Sequence, residues 1–374
     1  MAADDARRPR ILAIGHFPPP RHGMSLATER FATLLDDRGH VTRLDISGFE
    51  HGRSARHHLV RLGRTLRAAG SLARCERRDP VYLGCDAGAG VLYATVLLAV
   101  ARARGCRRFL HHHSFAYVHR RWTPMAALVR VAGPATDHVF TCERQAERFG
   151  QHYPGARRRR ALPITFTLAE PTRGARSPGS LATPVVLGHF GNLSMAKGVG
   201  RAVATLDACL VHGIDAVLDL AGPVVDPEAD RLLAAARGRL GSRLILRGEV
   251  RGPAKDAYLT GLDVFLFPTR YRNESFGIVA AEAMAAGVPT IAYAAGCLDV
   301  DWVGHGGLVV KPDADFVERA VAQIRAWVDD PGSHAAAAAA ALEQARVGWE
   351  AGQRGAHELV AAITGAPIGA SDGR

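Results

Sequence analysis

Lysine is almost absent from this chain. Of 47 basic side chains in 374 residues, only Lys197, Lys255 and Lys311 are lysines, and none lies in the first 170 residues. That stretch carries 28 Arg against 14 acidic residues, a balance of +14, while the remainder holds 19 basic and 22 acidic residues. A basic first half suits an anionic acceptor, a membrane surface or nucleic acid. No C-x-x-C pair occurs among Cys75, Cys85, Cys106, Cys142, Cys209 and Cys297. This argues against a zinc site and for reduced, mostly buried thiols. The longest apolar run, Ala87 to Ala103, holds about 15 apolar or small residues, short for a membrane span. Met1 to Arg10 are charged and lack the apolar core of a signal peptide, so a cytoplasmic protein is expected. No G-x-G-x-x-G follows the first strand and no P-loop occurs, which counts against a dehydrogenase and an ATPase. Basic residues are not interleaved with aromatics, so no nucleic-acid partner is expected.

The composition, 48% hydrophobic and 22% charged, is that of a globular protein, and the length allows two α/β domains. Strand and helix signals alternate through both halves, which predicts two Rossmann-like domains with a cleft between them. Arg10 to Gly15 reads as the first buried strand, followed by a Pro- and Gly-rich loop to Met24 and a helix from Ser25 to Arg38. Between Gly52 and Arg78, Leu59, Leu62, Leu66, Ala69 and Leu72 recur at helical spacing beside Arg56, Arg61, Arg64 and Arg67. This predicts an amphipathic basic helix whose charges are either a solvated face or a dock for anionic lipid. Arg107 to Phe115, with His111, His112 and His113, reads as a strand running into a loop. Neighbours on a strand face opposite ways, so the three make a poor metal site and no metal is expected. Arg157 to Arg160 read as a solvated loop, with contact to an acceptor or lipid phosphate as the alternative. Pro171 to Pro184, rich in Pro, Gly, Ser and Thr, reads as a linker.

The densest signal runs from Leu262 to Tyr293. A buried strand to Pro268 leads into a loop, then a helix from about Ile278 to Ala286, then a stop at Gly287-Val288-Pro289 and a strand from Thr290. Ser275 is the expected helix cap. Free N–H groups of Ser275, Phe276 and Gly277 can face an anion or a hydroxyl-rich ring, beside Glu274 at the strand's carboxyl end. Glu282 lies about two turns on. Spacing alone leaves two readings open, a capped helix with an ordinary glutamate or a sugar site.

The E-x7-E pattern of Glu274 and Glu282, followed by Ala283-Met284-Ala285-Ala286-Gly287-Val288-Pro289, resembles the donor-site signature of family-4 retaining glycosyltransferases. Element order matches over most of residues 184 to 312 and more weakly before. The resemblance implies a GT-B fold: two Rossmann-like doubly wound domains facing across a cleft, with the last helix crossing back. The expected division is an acceptor-side domain over 1–170, a linker over 171–184, a donor domain over 185–345, a crossing helix over 346–363 and a flexible tail over 364–374.

It also implies a retaining hexosyltransferase in polysaccharide biosynthesis. The donor would be a UDP-, GDP- or ADP-sugar, with no cofactor or metal, and the acceptor a glycan, a lipid-linked glycan or a small molecule. Glu282 would hold the ribose. Glu274 and the N–H groups of Ser275, Phe276 and Gly277 would hold the sugar. Gly248 and Val250 would line the base pocket, Gly23 would face the diphosphate, and His113, with His111 as runner-up, would face the sugar. Lys197-Gly198 matches the family's Lys-Gly, but Asn192 stands where an arginine is usual. Arg270, Arg272 and Arg21 are the expected substitutes for that missing charge. Many such enzymes use lipid-linked acceptors, so the helix within residues 52–78 suits peripheral attachment at the inner membrane face. A nucleotide-sugar epimerase and a non-catalytic partner are the alternatives on the same fold.

Overall fold

The structure, a computed structural model, describes residues 8–19, 23–48, 55–171, 181–298 and 300–365. They form two compact units, one running to Thr167 and resuming at Ala351, the other spanning Leu168–Glu350.

The first unit alternates β1 (Arg10–Gly15), α1 (Gly23–Asp36), β2 (His40–Asp45), α2 (Ala55–Ala73), β3 (Pro80–Cys85), α3 (Gly90–Ala103), β4 (Arg107–His112), α4 (Thr123–Ala132), β5 (Asp137–Phe140), α5 (Glu143–His152) and β6 (Arg158–Ala161). The strands form one parallel sheet in the order β2-β1-β3-β4-β5-β6. Its central strands read as continuous apolar runs because helices cover both faces. Ile11, Ala13 and Ile14 of β1 are fully buried, and Phe31 of α1 lies 4.8 Å from Tyr82 of β3, ring to ring. Burying one such side chain contributes about 1.5–3 kcal/mol.

The second unit repeats the scheme with β7 (Val185–Phe190), α6 (Val199–Val211), β8 (Ala216–Ala221), α7 (Pro227–Leu240), β9 (Leu244–Leu246), α8 (Pro253–Thr260), β10 (Val264–Phe267), α9 (Ile278–Ala285), β11 (Thr290–Tyr293), α10 (Val300–Val303), β12 (Gly307–Val310) and α11 (Phe316–Asp329). Its parallel order is β12-β11-β10-β7-β8-β9. Helix α12 (Pro331–Thr364) carries the division between units at Ala351. Within the second unit its His334 Nε2 bonds the Asp263 carbonyl at 2.9 Å. Within the first, Gln353 donates to the Phe166 carbonyl at 3.2 Å, and Gly352 sits where a Cβ would strike the Phe166 backbone. Among the described residues no helix is long and apolar enough to cross a membrane. Most of the expected linker, 172–180, and most of the expected tail, 366–374, lie outside the described residues.

Several local expectations need correction. Helix α2 exists, but its leucine stripe is not its buried face. Leu59, Leu62 and Leu66 are 68%, 46% and 61% exposed, whereas Arg61, Thr65, Ala68 and Leu72 are buried. The reason is an internal ion pair: Arg61 meets Asp86 at 3.0 Å and stacks over Tyr93 at 4.8 Å. Arg157 to Arg160 are not a loop, since Arg158 to Ala161 form β6, whose alternation sends Arg158 and Arg160 to Asp137. As expected, His111 and His112 lie on the strand, β4, and both are fully buried. Strand β9 stops at Leu246, short of Gly248 and Val250. Cys75, Cys85, Cys106 and Cys209 are buried free thiols, whereas the sulfur of Cys142 and that of Cys297 are not free thiols, against the expectation of six reduced cysteines.

Candidate active site

In each sheet the strand order reverses once, between β1 and β3 in the first unit and between β7 and β10 in the second. Open α/β sheets bind ligands outside the carboxyl ends of the strands at such a reversal. In the second unit the loops leaving β7 and β10 carry Lys197 and Glu274. Lys197 Nζ donates to Glu274 Oε2 at 2.5 Å and lies 4.9 Å from the Tyr271 ring centre. Glycine makes this approach feasible. Gly198 adopts φ +94, and a Cβ there would collide with the Pro268 carbonyl at the end of β10.

The loop after β10 ends at Gly277 (φ +76), which caps α9 in a left-handed conformation. Ser275 is therefore not the cap. Its carbonyl instead accepts from the Cys297 N–H at 2.7 Å, and Gly296 (φ +60) stands where a Cβ would strike that carbonyl. The N–H groups of Ser275, Phe276 and Gly277 donate to nothing among the described residues. They stand with the first turn of α9, where the helix dipole favours an anion or a polar ring. The Phe276 side chain is buried, edge-on to Trp302 with ring centres 5.0 Å apart, so this residue offers its backbone only.

Glu282, on α9, does not share the Lys197 pair. Its Oε1 accepts from Lys255 Nζ of α8 at 2.8 Å. Two of the chain's three lysines thus hold the two carboxylates of the E-x7-E pattern. The sequence reading missed Lys255, although the rarity of lysine was a usable signal. Asn192 is exposed after β7 with no hydrogen bond among the described residues. Of the expected substitutes for an arginine there, Arg270 is committed to the Tyr293 hydroxyl and the Pro312 carbonyl, both at 2.9 Å, and Arg21 lies outside the described residues. The rim is stitched by backbone: Gly191 N–H to the Ala221 carbonyl at 3.1 Å, and Gly222 N–H to the Gly248 carbonyl at 2.6 Å. Gly248 is exposed with φ +69, and Val250 packs partly on the core. Beneath Lys197, buried His189 bonds the Leu266 carbonyl through Nδ1 at 2.9 Å. Desolvation, with a contribution from the Lys197 charge, pushes it down to about 4.

Gly23 and His113 belong to the first unit. Gly23 is the first residue of α1, with open space around its Cβ position and no positive φ, so its conformation does not demand glycine. His113 follows β4, is nearly buried, and receives on its ring the His111 ring at 4.0 Å. His111 Nδ1 bonds the Tyr82 hydroxyl at 2.6 Å, and His112 Nε2 meets His138 Nδ1 at 3.0 Å. Burial pushes His111 and His138 down to about 3 and His112 well below its ordinary value. These are neutral core histidines. Among the described residues no group of three His, Cys, Asp or Glu side chains could hold a metal ion. At the first unit's own reversal point stands a group that sequence reasoning missed. Asp86, after β3, faces His16 Nε2, after β1, at 3.5 Å and the buried Arg61 at 3.0 Å.

Residues 184–330 match the family of glycosyl transferases group 1. Over 175 residues, 46% of this chain, it is 31% identical to 2-deoxystreptamine glucosyltransferase of Streptomyces kanamyceticus, covering 42% of that protein. Over 123 residues, 32% of this chain, it is 34% identical to D-inositol 3-phosphate glycosyltransferase of Thermobispora bispora, covering 28% of that protein. The chain thus spans less than half the length of the curated relatives it matches. Anabaena HepE in complex with UDP-glucose superposes with a TM-score of 0.70 at 20% identity, over 94% of this chain and 99% of that one. Sucrose-phosphate synthase of Thermosynechococcus elongatus gives 0.70 at 19% identity, over 96% and 100%. The fold is that of the GT-B glycosyltransferases, and the similarity to glycosyl transferases group 1 runs through residues 184–330.

Proposed function

We propose that the chain is a retaining, family-4-type glycosyltransferase that moves a hexose-type sugar from a nucleoside-diphosphate sugar to a hydroxyl acceptor. The observation that carries this reading is the Lys197–Glu274 pair at 2.5 Å, set beside the unpartnered N–H groups that lead into α9. In the proposed complex the Lys197 ammonium turns from Glu274 to the diphosphate, where it stabilises the charge of the leaving group. Glu274 and the N–H groups of Ser275, Phe276 and Gly277 take the sugar hydroxyls, and Glu282 takes the ribose hydroxyls. Gly248 and Val250 line the base, and Asn192 takes a neutral contact where an arginine is usual. Gly23 and His113 keep the donor-binding roles that the family resemblance implies. The bond from the anomeric carbon to the diphosphate oxygen breaks as the acceptor oxygen attacks the same face, and its proton passes to the departing diphosphate. The glucosyl- and glycosyltransferase names of the relatives, and UDP-glucose bound to HepE, support a UDP-hexose donor.

Thermal-shift titration of the full chain with UDP-, GDP- and ADP-sugars tests this reading. One class is expected to stabilise the protein, by about 2.7 kcal/mol at a hundredfold excess over Kd. Absence of stabilisation by all three would remove the basis for the proposal. Release of an epimerised free sugar without any acceptor would point to the epimerase alternative. Donor binding with no turnover in any acceptor screen would point to a non-catalytic partner.

A specific surface favours peripheral attachment at the inner face of an anionic membrane, as for an enzyme of polysaccharide assembly with a lipid-linked acceptor. Leu59, Leu62 and Leu66 of α2, with Leu92 and Val96 of the contacting α3, are exposed apolar side chains in the basic first unit, beside exposed Arg67. Apolar burial with flanking cations is how an interfacial helix docks. Replacing Leu59, Leu62 and Leu66 by Ser should abolish co-sedimentation with anionic vesicles and leave the melting temperature within about a degree, since the residues are exposed. Undiminished sedimentation would dismiss the surface.

A further inference from the structure

We propose that the amino-terminal edge of the first unit's sheet holds a phosphate-binding site, built by Arg107, Arg108, Arg158 and Arg160 around Asp137. It is independent of the transferase reading, because all these residues lie at the opposite ends of the strands from the reversal points. Arg107 and Arg108 open β4, Asp137 opens β5 and Arg158 opens β6, and parallel pairing aligns those ends. The residues line a recess of about 360 Å³, with Ala362 of α12 in its wall. A water molecule occupies about 30 Å³ of liquid, so the recess has room for a phosphate or diphosphate group.

The charge balance of the recess is unfilled. Four guanidinium groups face one carboxylate. Asp137 accepts from Arg160 Nε at 2.9 Å and from Arg158 Nη1 at 3.4 Å. Arg107 donates to the carbonyls of Ala362 and Ile363. Arg108 donates to the Cys106 carbonyl at 2.6 Å and to Thr136 Oγ1 at 3.1 Å. These bonds fix the side chains but leave donors over. Both terminal nitrogens of Arg160 and Nη2 of Arg158 donate to nothing among the described residues. Burial and the neighbouring Arg102 charge hold Arg108 below the ordinary arginine range, as expected where positive charge lacks a counter-ion. Two planar forks with spare N–H groups, fixed by one buried carboxylate, match the bidentate geometry of phosphate oxygens. The four-arginine run supplies this because strand alternation sends Arg158 and Arg160 to one face and Arg159 elsewhere, to the Ala156 carbonyl.

The phosphate could be free or the headgroup of a lipid, and two arms separate the sources. The full chain is titrated with inorganic phosphate at constant ionic strength, followed by calorimetry, and is sedimented with vesicles containing phosphatidic acid. Saturable binding in either arm is expected, at least tenfold weaker in the Arg158→Gln/Arg160→Gln variant, which must still be stabilised by the nucleotide sugar that stabilises the parent, or unfold with an unchanged transition. Asp137→Asn guards against a loss caused by misfolding. It frees both guanidinium forks and should tighten phosphate binding by about threefold to tenfold, a gain that a damaged fold cannot produce. Binding in neither arm, or binding unaffected by both variants, overturns the proposal.

Discussion

The two units share a topology and differ in how they use cations. In the first, arginine is structural. Arg61 is buried on Asp86, Arg64 ties Asp45 to Ser47, and Arg107 holds the end of α12. In the second, lysine marks the candidate site. Lys197 and Lys255 each hold one carboxylate of the E-x7-E pattern, and both are only partly exposed. A guanidinium satisfies several fixed acceptors at once and suits architecture. An ammonium is a compact point charge that can leave one carboxylate for a phosphate, which suits a site that must exchange partners. The contrast predicts that substitutions of Lys197 and Lys255 in the second unit damage chemistry more than stability, and substitutions of Arg61 and Arg64 in the first do the reverse.

The sharpest way to break that contrast is Lys197→Ala. Removing one preorganised electrostatic contact to a leaving group costs about 10²–10³ in kcat, and the paired Glu274→Ala should cost a comparable factor. Stability should move by less than about 1 kcal/mol, because the ion pair is partly solvated. Measured kcat with a matched nucleotide sugar and a denaturant midpoint decide it. A variant that unfolds yet keeps its turnover when stabilised would assign Lys197 to architecture.

The second test uses protons. Among the described residues, His111, His112 and His138 are held neutral by burial in the first unit, and His189 is so held in the second. Their folded values lie below the unfolded value of about 6.5. Between about 6.5 and the folded values the unfolded chain binds protons that the native chain refuses. Stability is therefore full above about pH 6.5 and falls as pH falls, by up to tenfold in the folding constant per histidine per pH unit. Three such groups against one predict that the first unit opens first on acidification. Hydrogen exchange resolved by peptide at pH 7, 6 and 5 reads this directly. Equal loss of protection in both units would refute it.

These differences also mark what was legible in the sequence. The strands and helices around Glu274 could be read because apolar runs and Gly-Val-Pro punctuation are local signals. The pairing of Lys197 with Glu274 could be anticipated only from a resemblance, because the two are joined by the order of β7 and β10, which periodicity does not encode. The face of α2 was misread because Leu59, Leu62 and Leu66 look like a core stripe, while the buried stripe is organised by a long-range partner, Asp86. Ser275 looked like a cap because the need of Gly277 for a left-handed backbone leaves no mark beyond the glycine itself. Asp86 with His16 was invisible for the same reason as Lys255: each meets its partner only once the chain has folded.

Lys255 gives the smallest effect and the finest test. It touches Glu282 rather than the reacting atoms in the proposed complex, so it is a positioning residue. Its 2.8 Å bond fixes the carboxylate oxygen that would accept from the ribose hydroxyls. Lys255→Met keeps the stem and removes the charge, which should raise KM for the donor by about threefold to tenfold, the worth of one charge-assisted hydrogen bond at a partly exposed site. The kcat should stay within about twofold, because an interaction equal in ground and transition states changes KM alone. Lys255→Arg, which restores a donor to Glu282, should recover most of the affinity. A purely structural lysine would instead lower stability and leave KM unchanged, and a residue acting on the leaving group would lower kcat. The split between KM and kcat therefore separates Lys255 from Lys197, although each is a lysine on a carboxylate of the same pattern.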